Sequence, residues 1–318
     1  MSKVYFRPEI EQTHQIPDSV EIGVGAWAWG DKTVWGFGSD YGEDDARQAF
    51  HASLEAGVTF LDTAEIYGFG TSERLVGRFL DETEQRVMIA TKFAPLPHRL
   101  FKGQLIRALK GSIKRLEVLA VDLYQIHFPL PLIPEETWAS ALADALDMGL
   151  THAVGVSNYN RGQTIRAHAV LARRGYPLAS NQLEYSLIER KIERDGTKAA
   201  CEERGIKVIA YSPIGMGLLT GKYTVENPPP GVRGKKYRKL LPNLPPLIDL
   251  LGEIGEHHGG KTPAQVAINW TVCKGALPIP GAKNARQAGQ NAGAVGWRMT
   301  DDEVAALDEM SDRVRRGV

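Results

Sequence analysis

The sequence predicts an α/β fold, a (β/α)8 TIM barrel, on three observations. Short β-branched apolar runs alternate with longer stretches of helical periodicity along almost the whole chain. The runs recur at roughly 30 residues, the length of one strand-plus-helix unit. The third observation is an absence. An open doubly wound sheet would carry GxGxxG directly after its first strand, whereas Gly23-Val24-Gly25 is followed by AWAWG, where the third glycine comes too late.

Eight runs read as strands. They are IGVGAW (22–27), TFLDTA (59–64), VMIATKFA (87–94), VDLYQIHF (121–128), HAVGVSN (152–158), LASNQLEY (178–185), KVIAYSP (207–213) and ALPIPGA (276–282). The helices between them carry their own signals. DDARQAFHASLEAG (44–57) has Asp44 and Asp45 where the helix dipole favours acids, and Gly57 as a stop. GQLIRALKGSIKRLEV (103–118) keeps the apolar period, and TPAQVAINWTVCK (262–274) opens with a Thr cap and Pro at the first helical position. Residues 1–20 precede the repeat and are expected to form a small hairpin over the barrel bottom. A Pro-, Gly- and Lys-rich stretch at 220–246 interrupts it, within a long loop after strand seven (about 214–246), and a final helix ends the chain. The whole, 1–318, is expected to be one domain, since so long an insertion on a βα side points to function rather than to a linker.

Composition narrows the class of protein. The 318 residues can bury a substantial core, and 43% hydrophobic with 24% charged residues is a globular balance. Lys plus Arg equals Asp plus Glu at 38 each, which points away from nucleic acid or an anionic membrane as partner. Cys201 and Cys273 form neither CxxC nor a disulfide framework, as in a reducing cytosol. MSKVYFRPEIEQ lacks the order of a secretory signal, and no apolar run approaches the ~18 residues of a membrane span, so a cytoplasmic location is expected.

Catalytic groups in such barrels stand at the C-terminal ends of strands. Strand two ends on Asp62 with Tyr67 five residues on; strand three carries Lys92 near its end, and strand four His127. Each has a plain structural reading as turn cap, packing phenol, snorkelling lysine or satisfied core histidine. Together they place ionisable groups inside apolar strands at one height, and a buried lysine needs a counter-charge, for which Asp62 is the obvious partner. No HxH or HExxH is present, and no metal is called for. His257-His258, among helix-end glycines, reads as exposed.

DTAEIYG followed by TSERLVGRFL, TKF, the His-bearing fourth strand, GVSNY and YSPIGMGLLTGKY, in this order, resemble the aldo-keto reductase superfamily from about residue 20 to 295. The resemblance implies reduction of carbonyls to alcohols with NADPH/NADP+, through a tetrad that falls on Asp62, Tyr67, Lys92 and His127. In those roles Lys92 would lower the phenol's pKa, Asp62 would hold Lys92, His127 would orient the carbonyl, and Tyr67 would protonate its oxygen.

It further implies that Ser157, Asn158 and Gln182 bind the nicotinamide carboxamide and that Tyr211 stacks on its ring. Ser157-Asn158 could otherwise be a helix cap. Ser212, Pro213, Ile214, Gly215, Gly217 and Leu218 would take the pyrophosphate. Gly281 and Lys283 open a helix N-terminus suited to the 2′-phosphate, with Arg286 as a further charge and Gln287, Gln290 and Asn291 on the adenine side. Trp29, Trp35, Phe93 and Phe128 are expected to wall the substrate pocket, with PLPLIP (129–134), Met216 and Tyr237 adding apolar surface. That lining suits small or aromatic aldehydes and dicarbonyls such as methylglyoxal, with steroid, sugar and pyridoxal reduction left open.

The expected partner is a small carbonyl substrate, and the family is commonly monomeric. The alternative from another class is a cofactor-binding regulatory subunit resembling potassium-channel beta subunits. The complete tetrad and the lack of a long N-terminal extension favour the enzyme. A barrel hydrolase or isomerase would need a paired carboxylate set or a metal cluster that is not seen.

Overall fold

The computed structural model describes residues 13–131 and 133–316. Eight parallel strands lie side by side in chain order: β1 Gly23–Gly25, β2 Phe60–Asp62, β3 Met88–Phe93, β4 Val121–Ile126, β5 Thr151–Ser157, β6 Ser180–Glu184, β7 Lys207–Tyr211 and β8 Leu277–Pro278. A parallel bridge between Gly25 and Gly281 closes the barrel, and Gly25 N–H donates to Pro280 O over 3.1 Å. The outer strands are shorter than the sequence suggests. Pro278 and Pro280 have no N–H for the ladder, so β8 stops early, and β1 gives way to a 3-10 turn over Ala26–Ala28.

Helices follow the strands: α1 Glu43–Glu55, α2 Thr71–Asp81, α3 Lys102–Leu116, α4 Glu135–Asp147 and α5 Arg161–Ala172. Two short helices, α6 Lys191–Arg194 and α7 Thr197–Glu202, link β6 to β7. After β7 come α8 Gly231–Tyr237, α9 Pro245–His257 and α10 Pro263–Cys273; α11 Ala285–Ala292 and α12 Asp301–Arg316 complete the chain. Their ends are specified by sequence. The Asp45 carboxylate accepts the Gly42 N–H at 2.9 Å before α1, and Gly57 turns left-handed at φ 81° after it. Thr262 Oγ1 accepts the Gln265 N–H and Pro263 opens α10.

Side chains alternate in and out along each strand. Phe60, Met88, Leu123, Ala153, Ile209 and Leu277 fill the lower lumen as one apolar cluster. The alternate set, including Leu61, Ile89, Tyr124 and Val154, meets the helices in the larger outer core. The same inward parity, continued toward the strand ends, brings Asp62, Lys92, Gln125, Gly155 and Gln182 into the upper lumen. Beneath the barrel the expected hairpin is replaced, in its described part, by a plug. Residues 13–20 contain no strand, Ile16 inserts into the inner cluster, and Asp18 pairs with Lys207 at 2.8 Å. Residues 1–12 of that extension, and Leu132 of the PLPLIP loop, lie outside the described residues. His258 also departs from expectation. It is half-buried, stacks on Trp297 at 4.7 Å and meets the Glu303 carboxylate at 2.9 Å, because α12 packs beside α9.

Candidate active site

Lys92 is the hub of the upper lumen. Its ammonium pairs with Asp62 Oδ1 and donates to Thr63 O at 2.9 Å and to Tyr67 Oη at 3.3 Å. Side-chain exposure of 0% for Lys92 and 2% for Asp62 makes this a fully desolvated ion pair. Backbone bonding carries β4 one residue beyond its assigned end, since the His127 N–H donates to Phe93 O at 2.8 Å. That fixes the imidazole edge-on to the Tyr67 ring, 5.5 Å away at 83°. All four expected tetrad residues therefore meet at one place.

Glu65 explains how the chain travels from Asp62 to Tyr67. Its carboxylate accepts the Ala94 N–H at 2.8 Å and pairs with Arg99, tying the exit of β2 to the exit of β3. The next turn, Tyr67 N–H to Ala64 O at 3.1 Å, sets the phenol over Lys92. Gly68 then adopts φ 54°, a position where any Cβ would collide with the Gly30 backbone carbonyl.

The charges depart from the sequence expectation in one respect. Burial pushes the Tyr67 phenol above its ordinary value; Lys92 pulls it down without cancelling burial, and Asp62 pushes it further up. Tyr67 thus stays a phenol, a proton donor in waiting rather than a phenolate. For Lys92, burial works against the charge, but Asp62 and Tyr67 outweigh it and hold the ammonium above its usual range. Burial, and then the nearby Lys92, push His127 down to about 3, so its ring is neutral. The unfolded chain takes up this proton below about pH 6.5 and the folded chain does so only near pH 3. His127 therefore costs stability as pH falls through that window, by up to about 1.4 kcal/mol per pH unit. Scanning calorimetry from pH 6.5 to 4 should show a shallower loss for His127→Asn than for the wild type, and equal slopes would remove His127 from this account.

A cavity of about 830 Å³ opens above Tyr67 and His127. Ser157, Asn158, Gln182 and Tyr211 line its floor. Asn158, at φ 60°, donates to His127 O at 3.1 Å and accepts the Tyr211 hydroxyl at 3.0 Å. The cap of α5 is Asn160, whose side chain accepts the Gln163 N–H, so Ser157 and Asn158 are free of that duty. Gln182 spends one N–H on Asp62 Oδ2 at 2.8 Å, an interaction the sequence did not suggest.

Ser212, Pro213, Ile214 and Gly217 form one wall, and Gly281, Lys283, Gln287, Gln290 and Asn291 another. Gly215 and Leu218 do not line the cavity: both are buried within the 3-10 turn Gly215–Thr220, where a Cβ on Gly215 would meet Ile188. Four cations, Lys222, Arg233, Lys283 and Arg286, gather at this end. Burial and then Arg233 hold the Lys283 ammonium below its usual value, with Lys222 adding to the effect. Lys283 lies 4.3 Å from the Tyr41 ring centroid and donates to Trp35 O at 2.7 Å. The long loop after β7 crosses the cavity, where Arg233 of α8 reaches Met216 O at 3.2 Å and sits over the Trp35 ring at 5.3 Å.

The substrate-wall expectation is corrected at three of its four positions. Trp35 lines the cavity. Trp29 is fully enclosed against Phe79 and donates its indole N–H to Ala282 O at 2.7 Å. Phe93 follows the inward Lys92, so strand alternation turns it outward onto Trp138, 4.9 Å away. Phe128 stands behind His127, at 5.6 Å, away from the cavity. Tyr237 is likewise buried in the outer core, whereas Met216 does reach the cavity. The wall is completed by Trp27, which lies 6.0 Å from the Tyr67 ring at 26° and meets Trp35 edge-on. Asp31 also lines the cavity, its carboxylate accepting the Trp27 indole N–H and the Val34 N–H.

The barrel and its rim agree with the comparisons. The sequence model of the Aldo/keto reductase family matches residues 21–312, and the chain belongs to that family. It is 42% identical over 301 residues to the chloroplastic pyridoxal reductase of Arabidopsis thaliana, covering 90% of this chain and 82% of that protein. The glycerol dehydrogenase AKR11B4 of Gluconobacter oxydans superposes with a TM-score of 0.80 at 29% identity, over 92% of this chain and 91% of that one. An aldo/keto reductase from Klebsiella pneumoniae in complex with NADP and acetate gives a TM-score of 0.72 at 26% identity, over 92% and 91% of the two chains.

Proposed function

We propose that this protein reduces aldehydes and ketones to alcohols with NADPH, taking the proton from Tyr67. The observation that carries the reading is the Lys92 ammonium held between Asp62 and the Tyr67 hydroxyl, beside a neutral His127, on the floor of the cavity. A neutral imidazole can donate a hydrogen bond to a carbonyl oxygen and leave proton delivery to the phenol. The bound nicotinamide would supply the hydride; everything else is the work of this chain. In this reading Asn158 and Ser157 would bind its carboxamide, and Tyr211 would stack on its ring.

The residues fit a dinucleotide phosphate. Lys222, Arg233, Lys283 and Arg286 share one end of the cavity, where Arg233 and Lys222 disfavour the Lys283 charge, an arrangement that an anion relieves. The Klebsiella pneumoniae relative, crystallised with NADP, supports the same reading. Lys283→Glu should raise the Michaelis constant for NADPH about tenfold or more while changing that for NADH little. Equal effects on both cofactors would sink the 2′-phosphate assignment.

For the substrate we propose planar aromatic and small aldehydes, pyridoxal among them, with dicarbonyls such as methylglyoxal as weaker candidates. Trp27, Trp35 and Tyr67 give the cavity an aromatic lining, and the relative from Arabidopsis thaliana is a pyridoxal reductase. The test is NADPH oxidation with pyridoxal, benzaldehydes and methylglyoxal. Tight NADPH binding without turnover on any carbonyl would favour a regulatory cofactor-binding role instead.

A further inference from the structure

We propose that Gln125 is a positioning residue for proton donation: together with Gln182 it holds the Asp62 carboxylate turned toward Lys92, and so keeps the ammonium beside Tyr67. The inference rests on the reduction chemistry proposed above and names a residue which that chemistry does not itself require.

Gln125 points into the lumen from β4 and is fully enclosed. Its Nε2 donates to Asp62 Oδ2 at 3.2 Å, the oxygen that Gln182 Nε2 also reaches at 2.8 Å. Lys92 takes the other oxygen, Oδ1. The carboxylate is thus divided, one oxygen for the cation and the other pinned by amides from β4 and β6. It cannot rotate away from Lys92 without abandoning both amides, and an unpaired polar group at this depth is costly. An amide can face either way, and a third group decides the matter: Ser180 Oγ–H donates to Gln125 Oε1 at 3.3 Å, which leaves the N–H end for Asp62.

The strand register places Lys92, Gln125, Gly155 and Ser180 side by side across four strands. Gly155 does not occupy the left-handed region, so its backbone gives no reason for glycine. Its reason is space. A Cβ there would fall on Ser180 Oγ and lie 3.1 Å from Gln125 Cγ. The gap at residue 155 is what lets Ser180 and Gln125 meet.

A pure packing role would also suit a buried glutamine, so the test needs a readout that packing would not move. The titratable groups facing the Tyr67–Lys92 pair among the described residues are Asp62, His127 and Tyr211. His127 is neutral above about pH 3, and burial holds Tyr211 protonated well into the alkaline range. Asp62 strengthens the hold of both Lys92 and Tyr67 on their protons. A loosened Asp62 therefore lets the pair give up its proton at lower pH.

Gln125→Met keeps the volume and removes the amide. We expect its kcat for aldehyde reduction to fall about tenfold, with the NADPH Kd within about twofold of wild type. The alkaline limb of kcat should move down by about half to one pH unit. The same displacement should appear in the tyrosinate absorbance of the protein without substrate, in the component that Tyr67→Phe abolishes. Ser180→Ala and Gly155→Ala leave the Gln125 amide in place but release or crowd it, and both should shift the limb in the same direction by less. If Gln125→Met does not fold, these two carry the test. A folded Gln125→Met with an unmoved alkaline step, whether kcat falls or not, overturns the proposal and leaves packing. Should the wild type reduce no carbonyl at all, the functional reading fails, while the tyrosinate step still decides the role of Gln125.

Discussion

Tyr67→Phe is expected to lower carbonyl turnover by about 10²- to 10⁴-fold while NADPH binds as before. The substitution removes one oxygen atom and keeps the ring, so the stacking on Trp27 and the edge contact with His127 are retained. What is lost is the phenol that Lys92 touches, at 3.3 Å. Burial, which keeps that phenol protonated, makes it a donor across the whole neutral range. Among the described neighbours, the Tyr211 hydroxyl is already committed to Asn158 Oδ1 at 3.0 Å. His127 is neutral and therefore a far weaker acid, and Lys92 lies beneath Tyr67, shut off from the cavity. Fluorescence titration with NADPH and steady-state oxidation of the same cofactor with an aldehyde separate binding from proton transfer. Turnover by Tyr67→Phe at the wild-type rate would remove Tyr67 from the mechanism.

Much of this arrangement was legible because strands are periodic. Asp62, Lys92 and His127 stand out as polar groups in apolar runs, and the barrel brings adjacent strand ends together whatever the helices do. Gln125 was equally visible in VDLYQIHF, two residues before His127, and its lumen-facing parity with Lys92 follows from the register. Phe93 adjoins Lys92 in sequence but not in space. In a strand, the residue beside an inward lysine faces outward. Trp27 and Trp29 could not be sorted in that way, since β1 ends at Gly25 and a 3-10 turn resets which side each faces. Glu65 had no local signal at all, because its partner Arg99 lies on the next strand-to-helix loop. The reach of Arg233 to Trp35 joins loops nearly two hundred residues apart, and nothing local in either loop announces it. The sign of the Tyr67 shift was beyond the sequence for a different reason. It depends on how much water burial removes, which spacing does not encode.

The Asp62–Lys92 pair allows a sharper separation of stability from chemistry. Lys92→Met strands the Asp62 carboxylate in the lumen with only the Gln125 and Gln182 amides for company. Breaking a buried pair from one side costs about 3–5 kcal/mol, and the loss should be readable as a lower denaturant midpoint. Asp62→Asn strands the ammonium instead, although Thr63 O and Tyr67 Oη remain as acceptors, and its cost should be smaller. The double variant leaves no charge to desolvate. Replacing both members of a buried pair is often neutral, so it should be more stable than Lys92→Met alone. Its kcat should nevertheless stay depressed by about 10²-fold or more, because nothing then holds a cation against the phenol. Stabilities that simply add, with no recovery in the double variant, would contradict the desolvated pair. The expected pattern, stability regained and turnover not, would mean that two charges buried at 0% and 2% exposure persist in this lumen for what they do to Tyr67 rather than for what they add to the fold.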